Sequence, residues 1–352
     1  MVNQKQRKEI SLFYCRTPLQ LKVSQKIIAS LGLSSSCKVI YHPANSSPKH
    51  FYYFKSFESV NKYFIPFKQN SPFVVQELFA WNTLPKKLRK CDFSSIYFAS
   101  IHSILLSRLV SRNVEAKLNI FDDGLLNINM QHFYNALEDH PIHKAIKKIF
   151  LLQTNNEILS RTLMHFTIYD LKLSQWMPCP SRQIDLLEST PFQRKSPQPT
   201  KKLRLLIGNT FDHIKNFQPK KHDELAHSSK FDIFIPHPAS KLQPRLPNFL
   251  NEVINGEMTN NLIAEDIIFE LMQHGYKVII YGFSSSVLLN LSRYSQVVSL
   301  LLHESLEINS GNNIELNIAI SLRNAGVKVL SDDPTSNFHF SIGHFNKLAS
   351  NK

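Results

Sequence analysis

Two apolar runs break off into residues able to do chemistry. Arg204-Leu205-Leu206-Ile207-Gly208 ends in Asn209-Thr210-Phe211-Asp212, and Phe231-Asp232-Ile233-Phe234-Ile235 ends in Pro236-His237-Pro238-Ala239-Ser240. Short apolar runs bounded by turn residues have the pattern of buried parallel strands, and open α/β sheets bind ligands at the carboxyl ends of such strands. A carboxylate and an imidazole are therefore expected at two strand tips. Prolines on both sides of His237 fix the backbone and exclude helix, so the ring sits on a stiff extended segment suited to a catalytic group. A plain loop after a strand, with an incidental histidine, fits the same five residues.

The elements that must position these tips alternate along the chain. Ser11 to Cys15 is a strand, Arg16-Thr17-Pro18 opens a helix through Leu19, Val23, Ile27 and Ile28, and Lys38 to His42 is the next strand. Phe51 to Phe67, dense in Phe, Tyr and Lys, is expected to be a helix with an aromatic core face rather than a base-stacking platform. Ser95 to Ser100, a helix from His102 to Asn113, and Ala116 to Phe121 continue the pattern into Asp122-Asp123-Gly124. Asn129 to Ser174 is expected to be largely helical, with a basic run at His143 to Lys148 that suits a solvated face. Five prolines between Met177 and Thr200 mark a boundary. The division is an N-terminal domain over 1–176, a linker over 177–202 and a C-terminal domain over 203–352.

In the second domain a helix from Asn261 to His274 is followed by a strand from Lys277 to Phe283. Ser284-Ser285-Ser286 then caps a helix to Tyr294, and strands at Val297 to Leu302 and Val327 to Leu330 flank a last helix near Ile314 to Asn324. Strand, helix and strand in repetition predict right-handed parallel α/β units. The fold class is α/β, two Rossmann-like domains facing across a cleft.

Composition narrows the partners. Forty-one Lys and Arg against 27 Asp and Glu leave a net charge of +14 over 352 residues, which favours anions: nucleotides, acidic sugars, nucleic acid or an anionic lipid surface. Met1 to Ile10 is polar and basic, without the apolar length of a signal peptide or membrane span, and a cytoplasmic protein is expected. Cys15, Cys37, Cys91 and Cys179 are scattered and are expected to be buried thiols. His140 and His143 are three apart, a spacing that also permits metal ligation, and no metal site is expected there. Only nine glycines occur, with neither a Gly-x-Gly-x-x-Gly nor a P-loop pattern, so phosphate recognition falls to helix ends and side chains. Ser284 to Ser286 offer hydroxyls at such an end, and capping alone would also explain them.

Several stretches in order carry a resemblance. Leu12-Phe13-Tyr14-Cys15-Arg16-Thr17-Pro18-Leu19-Gln20, Phe121-Asp122-Asp123-Gly124, Ile235-Pro236-His237-Pro238 and Ala264-Glu265-Asp266 together resemble the bacterial lipooligosaccharide sialyltransferases of glycosyltransferase family 52, over about Ser11 to Asp333. The resemblance implies the glycosyltransferase B arrangement, a CMP-sialic acid donor, a galactose-terminated glycolipid acceptor and a homodimer with exchanged segments. A cytoplasmic enzyme acting on glycolipid is also compatible with peripheral attachment to the inner face of the inner membrane.

Inverting transfer needs a base for the acceptor hydroxyl and assistance for departing CMP, around an oxocarbenium-like transition state. An imidazole, with an ordinary pKa of about 6.5, suits the leaving-group side, and His237 is assigned there. Asp212 is the first candidate base. In the family the carboxylate stands three residues after the strand-end glycine, whereas Asp212 stands four after Gly208 with Phe211 between. A one-residue insertion reconciles the two; otherwise Asp122 or Asp123 supplies the base, as Asp-Asp-Gly does in related sialyltransferase families, with Asp123 preferred. In the second domain, backbone around Ile235, Pro236, Pro238 and Ala239 is expected to hold cytosine. By position Glu265, beside Ala264, matches the family's ribose-contacting acidic residue, so the resemblance implies that it takes the ribose hydroxyls; Ser285 and Ser286 are expected to hold the phosphate. The chain has no Asp-x-Asp, so no metal is expected. A relative transferring another sugar, such as glucose, is the second reading. A basic nucleic-acid-binding protein is the third; it leaves the strand-tip residues unexplained and lacks a recognisable motif, so no nucleic-acid partner is expected.

Overall fold

The computed structural model describes residues 9–43, 45–58, 61–68, 73–124, 139, 141–186, 201–208, 231–237, 244–246, 261–282, 285–292, 294, 297–301, 322–323 and 325–329. The chain divides into two compact units, Met1–Ser189 and Thr190–Lys352. Each is built on its own parallel sheet.

The first unit runs β1 (Ser11–Cys15), α1 (Pro18–Ser30), β2 (Cys37–Tyr41), α2 (Pro48–Ser56), β3 (Lys62–Phe64), α3 (Phe73–Thr83), α4 (Lys86–Arg89), β4 (Ser95–Phe98) and α5 (Ile104–Arg112). It continues with β5 (Lys117–Phe121), α6 (Pro141–Ile149), α7 (Asn155–Ser160), β6 (Thr162–Thr167) and β7 (Ser181–Gln183). The strand order is β3-β2-β1-β4-β5-β6-β7, so the chain reverses its direction of growth between β1 and β4, a topological switch of the kind where such sheets bind ligands. All five residues of β1 are buried, as expected of a central parallel strand with both faces covered. Thr17 accepts from the Gln20 amide and Pro18 fills the first turn, so the sequence Thr-Pro-x-Gln starts α1 where the strand stops.

Three expectations are corrected in this unit. Phe51 to Phe67 is not one helix: α2 stops at Ser56 and β3 follows. Lys62 Nζ donates to the carbonyls of Phe54, Lys55 and Phe57 at 2.6–2.8 Å, closing the end of α2 and turning the chain into the sheet. Within the stretch expected to be largely helical, Thr162–Thr167 is strand β6, between β5 and β7. Inside the Pro-rich linker, Ser181–Gln183 is β7, the edge of the first sheet; Pro178 and Pro180 lie just outside it, where an edge tolerates missing donors.

The second unit contains β8 (Lys201–Ile207), β9 (Ile233–Ile235), α8 (Ala264–Gln273), β10 (Tyr276–Gly282), α9 (Ser286–Ser292), β11 (Val297–Leu301) and β12 (Lys328–Val329). The order is β12-β11-β10-β8-β9, all parallel. Numbered within the unit this is the flavodoxin-like order, whose switch point lies between β8 and β10. Helix α8 buries Ile267, Ile268, Leu271 and Met272. Among the described residues no helix is long and apolar enough to cross a membrane, and all four cysteines are free thiols, three of them buried.

Candidate functional site

The Asp-Asp-Gly turn closes β5, and its two carboxylates have different surroundings. Asp122 is fully buried. It accepts from His165 Nε2 at 2.8 Å, from the Thr167 hydroxyl at 2.8 Å and from the Ile168 amide at 2.7 Å. With Nε2–H given to Asp122, the other ring nitrogen of His165 faces Ser181 Oγ at 3.2 Å. Three donors tie Asp122 to the end of β6, so it holds the turn in place. Asp123, next to it, is only partly buried. Gly124 follows with φ of 66°, a left-handed conformation that glycine adopts without strain.

Asp123 is held from α1. Gln20 donates its Nε2 to Asp123 Oδ1 and accepts the Arg16 amide at 2.6 Å through Oε1. The Arg16 guanidinium is paired with Glu77 at 3.2 Å, both side chains buried. Burial pushes the Asp123 carboxyl above the ordinary carboxylate range, while the Gln20 bond and Arg16 pull it back. A carboxyl placed this way can take a proton from a hydroxyl. Behind it, the Tyr14 hydroxyl lies 2.9 Å from His42 Nδ1 and 2.7 Å from Ser103 Oγ, and Ser103 donates to Glu77 at 2.6 Å. Burial pulls His42 down to about 4, so this imidazole is neutral. His50, likewise drawn down to about 4 by burial, lies between the Tyr41 hydroxyl at 2.5 Å and Asn45 Oδ1 at 2.8 Å.

Sequence reasoning assigned no role to Gln20, Glu77 or His165. Thr17-x-x-Gln20 is a readable capping pattern, but Gln20's second partner lies 103 residues away.

In the second unit the described residues among those expected to hold the donor lie toward one edge of the sheet. His237 follows the end of β9, and the neighbouring strand β8 is followed by Gly208, whose amide donates to the Ile235 carbonyl at 2.8 Å. A Cβ on Gly208 would lie 3.1 Å from His237 N and 3.1 Å from Pro236 Cα, so the glycine is what lets the Pro-His segment approach the tip of β8. Helix α8 connects β9 to the parallel strand β10, which places its first turn, Ala264 and Glu265, at this same carboxyl edge. Glu265 is 4% exposed and accepts from Asn290 Nδ2 of α9 at 2.8 Å. Ser285 and Ser286 stand at the start of α9, and Ser285 Oγ accepts from the Val287 amide at 3.4 Å. Asp212, Pro238, Ala239, Ser284 and His140 lie outside the described residues. Among the described residues no group of three or more His, Cys, Asp or Glu is placed to hold a metal ion.

The chain is similar to the CMP-N-acetylneuraminate:beta-galactoside alpha-2,3-sialyltransferase of Pasteurella multocida, 22% identical over 86% of this chain and 93% of that protein. It is also similar to the N-acetyllactosaminide alpha-2,3-sialyltransferase of Haemophilus influenzae, 24% identical over 82% and 90%. Among solved structures, a Photobacterium 2,6-sialyltransferase complexed with CMP and lactose is 11% identical with a TM-score of 0.44, over 91% of this chain and 78% of that one. The model of Glycosyltransferase family 52 matches residues 34–306, well over half of the sequence, and the chain belongs to that family.

Proposed function

We propose that this glycosyltransferase moves sialic acid from CMP-sialic acid to a terminal galactose of lipooligosaccharide, with inversion. The observation that carries the donor half is the placement of His237, Glu265, Ser285 and Ser286 on the carboxyl edge of the second sheet. There the backbone near Ile235 to Ala239 takes cytosine, Glu265 the ribose and the two serines the phosphate. Residues 203–352 thus serve the donor and residues 1–176 the acceptor. In the reaction a bond forms from the galactose oxygen to the anomeric carbon as the bond from that carbon to the CMP phosphate breaks. The hydroxyl proton passes to a carboxylate, and His237 donates to the departing phosphate oxygen. Asp212 is the first candidate base and Asp123 the second; Asp122, occupied by three donors, is not one. No step requires a metal ion, because the leaving group is a monophosphate stabilised by donors of the chain. Cytoplasmic placement with peripheral contact to anionic lipid fits the basic charge and the glycolipid acceptor, and a homodimer is what the family resemblance implies.

The test is CMP release from CMP-sialic acid with lactose, with and without EDTA, in wild type, His237→Ala, Asp212→Ala and Asp123→Asn. Expected is turnover that survives EDTA, collapses without His237 and collapses in one of the two aspartate variants, which names the base. Turnover with UDP-sugars and none with CMP-sialic acid would refute the donor.

A further inference from the structure

Glu265 is held by a neighbouring helix. Its Oε1 accepts from Asn290 Nδ2 at 2.8 Å, and Asn290 belongs to the next helix, 25 residues on. Both side chains are more than nine-tenths buried, at 4% and 7% exposure. The Asn290 Oδ1 is buried without a hydrogen-bond partner among the described residues. An amide that donates on one side and is unmatched on the other is an unusual component of an apolar interface. Its neighbours Val287, Leu288, Leu289 and Leu291 are all buried and apolar, so leucine would fill the same space without a desolvated amide. The amide therefore serves the Glu265 carboxylate, which leucine would leave without this donor.

From this geometry we infer that Asn290 is a positioning residue for the donor nucleotide: it fixes the Glu265 carboxylate so that its oxygens meet the two ribose hydroxyls. The bond from Asn290 fixes Oε1 of that carboxylate, and a carboxylate oxygen accepts in more than one direction. That bond also makes the carboxylate's rotamer depend on α9, the helix that begins at Ser286 just after Ser285, so the ribose and phosphate contacts are set by one element. Ser286 and Asn290 are four apart, on one face of that helix. The inference rests on the proposal that Glu265 takes the ribose, and the experiment separates the two.

Full-length protein is titrated calorimetrically with CMP and with 2′,3′-dideoxy-CMP, and the ratio of the two dissociation constants is read for wild type, Glu265→Gln and Asn290→Leu. Wild type is expected to prefer CMP by about 10- to 100-fold, the range for hydrogen bonds to a charged acceptor. Asn290→Leu is expected to bring that ratio to within about threefold of unity while its affinity for the dideoxy nucleotide stays within about threefold of wild type. In the Glu265→Gln background the asparagine substitution is expected to change the ratio no further, as required of a group acting through the carboxylate. A wild-type ratio near one, or no CMP binding at all, refutes the ribose role of Glu265 and with it this inference. A wild-type preference that survives in Asn290→Leu overturns the inference alone. Should the leucine variant not fold, as judged by circular dichroism, Asn290→Ser carries the same two outcomes.

Discussion

Replacing Asp122 should unfold the first unit far more readily than any loss of apolar contact at that turn would explain. Its carboxylate is the acceptor for the His165 ring, the Thr167 hydroxyl and the Ile168 amide, at 2.7–2.8 Å and with no solvent exposure. In Asp122→Ala three buried donors lose their acceptor. Each unsatisfied donor costs about 1–3 kcal/mol, and because one cavity serves all three the sum is not additive; about 3–5 kcal/mol is expected, as for breaking other buried charged contacts. Asp122→Asn keeps the shape but turns a donor toward at least one of the three, and about half that loss is expected. Urea unfolding followed by tryptophan fluorescence measures this, since both tryptophans of the chain, Trp81 and Trp176, lie in the first unit and pack in or against its core. The midpoint should fall with the slope unchanged. A change below about 0.5 kcal/mol in Asp122→Ala, the level of an ordinary surface substitution, would refute the view that this carboxylate holds the Asp-Asp-Gly turn.

Three more outcomes follow from the same contacts. Gln20→Leu removes the donor that holds the Asp123 carboxyl down, so its pKa rises further; where Asp123 is the base, the acid limb of kcat/KM moves to higher pH, and an unmoved limb with Asp123→Asn inactive would show that Gln20 only packs. Gly208→Ala puts a methyl 3.1 Å from two backbone atoms beside His237, which have to move; turnover should fall at least about tenfold with little change in the tryptophan-monitored unfolding of the other unit. His42 and His50, both buried and drawn to about 4, sit below the unfolded value of about 6.5, so the unfolded chain binds more protons between those pH values. Stability of the first unit is then full above about 6.5 and is lost as pH falls toward 4, by up to about 3 kcal/mol per histidine. The raised Asp123 works in the opposite direction, so a urea midpoint that holds constant from pH 7 to 4.5 in Asp123→Asn would contradict the burial of the two rings.

The sequence made the strands visible wherever a run was long, apolar and bounded by turn residues. β1, β2, β4, β5, β8 and β10 all have this form, and each was placed to within a few residues. β3, β6 and β7 were not, for different physical reasons. β3 and β7 are three residues long, too short for any periodicity, and β7 is bounded by prolines that also describe a linker. β6 carries a buried histidine at its centre, and a polar residue in a hydrophobic run weakens the apolar signal on which a strand is recognised. That histidine is buried because Asp122 is there to accept from it, 43 residues earlier in the chain.

The same long-range pairing explains why the candidate site was legible as tips but not as a network. Strand ends, helix caps and proline-fixed backbone are local, so His237, Ser285 and the Asp-Asp-Gly turn could be marked from neighbours within four residues, whereas Glu265 stands out only through the family resemblance. The groups that orient them come from elsewhere in the chain: Gln20 reaches Asp123 across 103 residues, Asn290 reaches Glu265 across 25, and Gly208 makes room for His237 from the adjacent strand. In both units a residue of a helix or neighbouring strand determines how a strand-tip or helix-start group is presented. In a parallel sheet this is a geometric consequence: every helix that follows a strand starts on the carboxyl edge, so its first turns face the tips of neighbouring strands. Substitutions at the orienting residues should therefore alter pH dependence and ligand discrimination, whereas substitutions at the tips themselves should abolish turnover.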